Sequence, residues 1–429
     1  MFHTHEHWQP LKKDNNMRYI KQILILTLLI FTFHNSFSQD EKKYRSKEED
    51  TYYDSLNKTL EYKDFVPVSI EIAKKNSYDY VKIVKVNNPS IYNPHQIFSA
   101  YWDSIVQSQK KEDMKDFKKF DSIMQIIQNE KIGIIPKMSV IKQEKIGNNW
   151  AIVYFDSTYD DFIYGGWGYW IALSYDNGKT WKQYYTGLTE NCYYFFKRNS
   201  NIPLWKDSVT LQIESTIVRQ TSEVMHPIPA TFETIQDSIA VQLDIRKIIQ
   251  DSDNDGLTDI VENKMMLNPN NPDTDGDGIK DSEDKNPRFK STRTEKSIIY
   301  ETLIENFRPN KKGVMEIDLT NPPTYEKSKI DSLYGDFESV NLFVTDDKDL
   351  QGLNLHNETM IIMSTKEYED YKLRYPSHFI ESSYTQMFKC DKKKDTYKIQ
   401  THHLTGGSTY VIKKTGKGWK IFILSGWIS

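Results

Sequence analysis

Cysteine is nearly absent from this chain of 429 residues: only Cys192 and Cys390 occur. They fall in different predicted domains, so two isolated buried thiols are expected rather than a bridge. Beyond the N-terminal region, no stretch approaches the ~20 consecutive apolar residues that a membrane span requires. The net charge is only −4, and outside one short acidic segment neither sign dominates, so nucleic acid is not expected as a partner. The signatures H-E-x-x-H and G-x-S-x-G are missing, and Gly406-Gly407 lacks the surroundings of a phosphate loop. His402 and His403 are neighbours on a predicted strand, hence on opposite faces, and cannot easily share one ion. With His356 and His378 they are read as structural or exposed, and no catalytic residue is assigned. Hydrophobic residues amount to only 38 %, yet 27 Tyr, 20 Phe and 9 Trp supply bulk to bury, which fits two or three globular domains.

The N-terminus reads as a polar leader followed by a secretory signal. Met17 opens it, Arg18 and Lys21 give the positive region, and Ile23–Phe33 the apolar run. Ser36-Phe37-Ser38 supplies small residues for cleavage, so the mature chain is expected to begin at Gln39, with no membrane span left. No Cys follows, which gives a lipid anchor no support. The expected location is secreted, cell surface or periplasmic.

What the chain does have is acid, concentrated between Asp251 and Asp284. Eleven carboxylates there face only Lys264 and Lys280, a net of −9 that leaves the remainder of the chain at +5. Calcium takes about six to eight oxygen ligands, and carboxylates on alternate residues of a tight turn supply them. Asp251, Asp253 and Asp255 occupy loop positions 1, 3 and 5, and Gly256 takes position 6, where the chain must turn sharply. Leu257 offers its carbonyl at position 7 and its side chain to the core; Asp259 stands at 9 and Glu262 closes the shell at 12. The scheme repeats with Asp273, Asp275, Asp277, Gly278, Ile279, Asp281 and Asp284. Asp284 is shorter than a Glu, and Glu283 beside it is a substitute, so the second site is expected to be the weaker. Without cations such a segment repels itself open; binding energy becomes folding energy.

These residues resemble the calcium-binding repeats of the thrombospondin type 3 class, common in secreted bacterial proteins, and their ligand spacing also matches an EF-hand loop. The resemblance covers under a tenth of the chain and implies calcium, not an activity. The flanks differ from an EF-hand protein. Ile239–Ile245 alternates like a strand, only the first loop has a plausible exit helix (Thr258 to about Met266), and Pro287 stops the second. The bland alternative is a solvated acidic linker. Millimolar calcium outside the cytoplasm suits loops of modest affinity.

Around this segment the expected architecture is multidomain: a β-rich (α+β) N-terminal domain at 39–248, a calcium-loop connector at 249–288 and an α+β C-terminal domain at 289–429. Val66–Ile72 and Tyr80–Val86 read as strands, and a helical stretch begins at Pro94. Consecutive antiparallel strands fill Lys137–Arg219, and a last hairpin joins Ser408–Lys414 to Trp419–Ile428 around Gly416-Lys417-Gly418. Ser174-Tyr175-Asp176-Asn177-Gly178-Lys179-Thr180-Trp181 matches the Asp-box, S-x-D-x-G-x-T-W, of sialidases and other β-propellers. That resemblance implies a shaped hairpin turn and no substrate contact. A single box, too few strands for a propeller and only Arg198 and Arg219 for a carboxylate pocket argue against a sialidase. Tyr159–Trp170 is dense in aromatics and glycine. Burial in the core is expected, with a sugar-stacking face of Trp167, Tyr169 and Trp170 as the sharper alternative. The resulting reading is an exported calcium-binding protein with a binding or scaffolding role, a glycan or cell-surface protein being the candidate partner. The alternative is a secreted glycan- or envelope-directed hydrolase with its site in the β-rich domain.

Overall fold

The computed structural model describes residues 42–59, 78–90, 130–137, 139–156, 168–189, 194–198, 200–221, 232–305, 310, 314–318, 340–356, 359–374, 382–403 and 406–428. The leader and signal (1–38), the expected strand at 66–72, the helical stretch after Pro94, Trp167, Cys192 and His378 lie outside these residues. The chain divides into two compact units that interleave in sequence. The larger comprises 62–307 and 324–383, the smaller 1–61, 308–323 and 384–429. Among the described residues no helix is long and apolar enough to cross a membrane.

In chain order, helix α1 (Lys47–Thr59) precedes β1 (Val81–Lys85), β2 (Lys131–Ile132), β3 (Ile135–Pro136), β4 (Val140–Ile146), β5 (Asn149–Asp156), β6 (Gly168–Ser174) and β7 (Lys182–Thr189). Next come β8 (Tyr194–Phe196), β9 (Trp205–Asp207), β10 (Thr210–Gln220) and β11 (Phe232–Asp244), then helices α2 (Ile245–Ile248), α3 (Asp259–Met265) and α4 (Glu295–Glu305). After β12 (Val314–Asp318) and β13 (Val340–Val344) follow α5 (Lys348–Gln351), β14 (Thr359–Met363) and α6 (Thr365–Arg374). The last strands are β15 (Ser382–Tyr384), β16 (Phe388–Lys389), β17 (Thr396–His403), β18 (Gly406–Lys414) and β19 (Gly418–Ile428). The chain is β-rich, as its alternating patterns predict.

In the larger unit β4-β5-β6-β7 form an antiparallel meander, and β1-β11-β10-β8, with β9 against β10, form a second sheet. Side chains on a strand alternate between faces, and β5 is apolar on both because both are covered. Ala151, Val153 and Phe155 enter the main core, while Ile152 and Tyr154 pack with Ile135 from the β2–β3 hairpin. Tyr169 of β6 is buried at 1 % exposure, stacks on Phe196 with ring centroids 4.0 Å apart, and accepts a hydrogen bond from the Phe196 amide. Its ring is therefore not available to stack on a sugar, which corrects that part of the aromatic-face expectation; Trp170 is half-buried against Tyr154 and Tyr185. The Asp-box forms the β6–β7 turn. Asp176 Oδ1 accepts from the Lys179 and Thr180 amides (3.0 and 2.9 Å), Oδ2 from the Thr180 hydroxyl, and Trp181 packs on Trp150.

The strand expected over Ile239–Ile245 stops at Asp244, whose carboxylate accepts from the Arg246 amide and starts α2. β13 and β14 pair in parallel, and Leu342, Ile361 and Met363 join the same core as Ile141 and Leu173. In the smaller unit β12-β19-β18-β17 form one sheet with β16 on β17. Only glycine fits at 418, because an added Cβ would lie 1.9 Å from the Ile317 carbonyl oxygen. Across this sheet Lys398 pairs with Glu49 of α1, both nearly fully buried, and Gln400 Nε2 donates to Glu49 Oε1 at 2.8 Å. Cys390 is a buried free thiol whose Sγ donates to the Tyr44 carbonyl at 3.6 Å; burial pushes its pKa up to about 11.

Candidate metal centre

Both acidic loops lie within the larger unit. In the first, Asp251 accepts from the Asn254 amide (2.8 Å) and, through its other oxygen, from the Gly256 amide (3.2 Å). Asp253 accepts from the Asp255 amide at 3.2 Å, and Asp255 from the Leu257 amide at 2.7 Å. Each acid closes a turn over the residues that follow it, so the chain curls and the three carboxylates converge. Ligand oxygens of Asp251, Asp253 and Asp255 lie within 4.8 Å of one another, and those of Asp273, Asp275 and Asp277 do the same. The second loop repeats the wiring: Asp273 accepts from Gly276 (2.8 Å) and Gly278 (2.9 Å), Asp275 from Asp277 (2.9 Å) and Asp277 from Ile279 (2.9 Å). Gly256 (φ +112°) and Gly278 (φ +102°) hold a conformation that L side chains rarely adopt.

The remaining expected ligands divide. Both oxygens of Asp259 accept from Ser252, the amide and the hydroxyl each at 2.8 Å; both oxygens of Asp281 accept from Thr274 in the same way, at 2.8 and 2.6 Å. The position-9 acids thus brace the loops back to their second residues. Their partners Ser252 and Thr274 went unassigned in the sequence, although a hydroxyl residue at position 2 of both loops is visible there. Glu262 sits on α3, and its side chain is 0 % exposed with neither carboxylate oxygen hydrogen-bonded. Asp253 Oδ2 and Asp275 Oδ2 are likewise buried and unpartnered. Asp284 is buried at 6 % exposure and accepts from the Asn286 amide, whereas Glu283, its suggested substitute, is exposed.

Electrostatics follow from this crowding. Burial, then the charges of Asp253, Asp255, Asp259 and Asp281, push the Glu262 carboxyl up to about 8. Burial, with added repulsion from Asp277, Asp284 and Asp273, raises Asp275 to about 6. Asp255, Asp281 and Asp284 are also raised, burial being the largest cause in each. An unpaired buried carboxylate among like charges is costly, and a divalent cation reverses that sign. All-oxygen donors with orphaned buried lone pairs fit a hard cation such as calcium.

The loops are tied into the fold on both sides. α3 packs on β7: Lys264 Nζ donates to Tyr185 Oη at 2.9 Å and lies over its ring, and Ile260 abuts Gly187. After the second loop, Asn286 donates to the Gln351 and Leu353 carbonyls (2.7 and 3.1 Å), and Arg288 to the Ile362 carbonyl and Glu367. Among the other residues weighed from sequence, His356 lies beside Glu305, with Nδ1 3.2 Å from Oε2, and His402 and His403 pair with Gly407 and Gly406 along β17. Compared with known proteins, the chain matches no family model, no curated protein and no solved structure.

Proposed function

We propose that this is an exported protein that binds two calcium ions, which act structurally by ordering the 251–284 segment, and that its role outside the cytoplasm is binding or scaffolding. The observation that carries the metal reading is Glu262: a carboxyl with no exposure and no hydrogen-bond partner, close enough to Asp253 and Asp255 of the converging triplet for their charges to act on it. Without a cation a carboxyl in that position holds a proton at neutral pH; a bound cation is what would keep it ionised. Asp251, Asp253, Asp255 and Glu262 would hold the first ion, with the Leu257 carbonyl and Asp259 completing the shell. Asp273, Asp275, Asp277 and Asp284, with the Ile279 carbonyl and Asp281, would hold the second. The export reading rests on the Met17–Ser38 signal pattern, and the non-catalytic role on the missing nucleophile and metalloprotease motifs. Calcium titration by calorimetry on the mature chain tests it: two ions are expected, with Asp251→Ala and Asp273→Ala each losing one. No ion uptake and no shift in thermal melting at millimolar calcium would remove the reading.

A further inference from the structure

We propose that Ser282, not itself a ligand, is a positioning residue through which the second loop holds a ligand of the first, so that the two sites fill as a coupled pair. The inference rests on the calcium reading above. Its basis is a crossed pair of hydrogen bonds. The Ser282 amide donates to Asp255 Oδ2 at 3.0 Å, and the Ser282 hydroxyl donates to the Asp255 carbonyl at 2.6 Å. Asp255 is the position-5 acid of the first loop, and its other oxygen is already turned onto the Leu257 amide. Ser282 thus fixes the orientation of that carboxylate from outside its own loop. The counterpart acid Asp277 accepts from Ile279, within its own loop.

Ser282 can take this place only while the second loop keeps its turn. Its neighbour Asp281 donates its amide to the Pro272 carbonyl at 2.9 Å and closes its carboxylate on Thr274, and the Asp284 amide donates to the Lys280 carbonyl at 2.8 Å. A cation among Asp273, Asp275 and Asp277 holds that turn against their mutual repulsion. With the turn held, Asp255 is set in its ligand orientation before the first ion arrives, and less ordering is left for that ion to impose. Linkage makes the effect reciprocal: an ion in the first loop tightens the second by the same factor. The buried and unpartnered Glu262 is the independent sign that the first loop is built for a ligand, and it lies close enough to Asp281 of the second loop for that charge to act on it.

Calcium calorimetry on the full chain tests the coupling, with Asp273→Ala isolating the first loop and Asp251→Ala the second. The wild type is expected to bind two ions with a Hill coefficient above ~1, and Asp273→Ala to weaken the first loop by about 5-fold or more. Ser282→Ala, which loses the hydroxyl bond to the Asp255 carbonyl but keeps the amide bond to Oδ2, should keep both ions and weaken the first loop by part of that factor. Adding Asp273→Ala to Ser282→Ala should then cost the first loop less than Asp273→Ala costs the wild type. Ser282→Thr, which keeps the hydroxyl, should titrate like the wild type. An unchanged first-loop affinity in Asp273→Ala, or a wild-type titration in Ser282→Ala, overturns the proposal. Should Ser282→Ala not fold, Asp273→Ala against the wild type still decides. Two independent ions in the wild type would sink the coupling alone, whereas no uptake would sink the calcium reading beneath it.

Discussion

Up to their twelfth residues the first and second acidic loops are built alike. Asp251 and Asp273 gather the amides of the turn, Asp259 and Asp281 lock onto Ser252 and Thr274, and the position-12 amide donates to the carbonyl four residues back in both. In what packs around them they differ. The first continues into α3, whose Ile260, Val261 and Met265 enter the main core, and Leu257 is 8 % exposed. The second halts before Pro287, residues 276–280 are exposed, and Ile279 is 46 % exposed. One ligand scheme therefore stands in two environments, which separates what the loop motif contributes from what the surrounding core contributes. The first loop encloses both orphaned oxygens of Glu262; the second encloses Asp275 Oδ2 and leaves Asp277 to water.

The largest contrast is expected at position 7. In excess calcium, Leu257→Ala should lower unfolding stability by about 2–5 kcal/mol, as for a core truncation, and Ile279→Ala by no more than about 0.5 kcal/mol. Equal costs in denaturant titrations would erase the distinction. At position 12, Glu262→Gln should weaken the first site about 100-fold, or about 2.7 kcal/mol, and Asp284→Asn the second by about 10-fold, read by calorimetry. In EDTA at neutral pH the order reverses: Glu262→Gln should melt above the wild type, because it removes a buried carboxyl that must take up a proton on folding. Gly256→Ala and Gly278→Ala should cost similar amounts, about 1–3 kcal/mol each, since φ is positive at both and an added Cβ finds at most Ser282 Oγ, 3.7 Å from position 256. Unequal melting shifts there would show that the two turns are less alike than their bonds suggest. The smallest effect should come from Asp176→Ala, which opens the Asp-box turn and leaves calcium uptake at both loops unchanged. Hydrogen bonds from Thr180 hold the Asp176 carboxyl down at about 2, so its stabilisation is lost only as pH falls toward that value. The near-ultraviolet dichroism of the Trp150–Trp181 pair should accordingly persist at pH 4.

Much of this was legible in the order of residues. Trp150–Phe155 and Tyr169–Ser174 read as strands because their apolar runs end at Asn and Gly turn signals, and β5 and β6 stand there. Asp176 and Gly178 read as a turn because the chemistry of an Asp-box is local, complete within eight residues. The stop at Pro287 was legible for the same reason. The placement of Tyr169 against Phe196, of Lys264 on Tyr185 and of Ser282 on Asp255 was not, because each pairs residues with no local pattern linking them. Nor did any local signal mark the interleaved units, in which α1 packs its Glu49 against Lys398.

By itself the sequence determined the chemistry of the two loops: which residues bring oxygen, at what spacing, and where a glycine must let the chain turn. Those are properties of about a dozen consecutive residues, set by covalent geometry and by hydrogen bonds that each acid accepts from amides just ahead of it. Only the tertiary structure decided that Glu262 and Leu257 are buried while Ile279 is exposed, and that Asp255 answers to Ser282. Burial is a property of what packs from elsewhere in the chain, here α3 on β7, and it encloses the Glu262 carboxyl and Leu257 of one loop while Asp277 and Ile279 of the other stay at the surface.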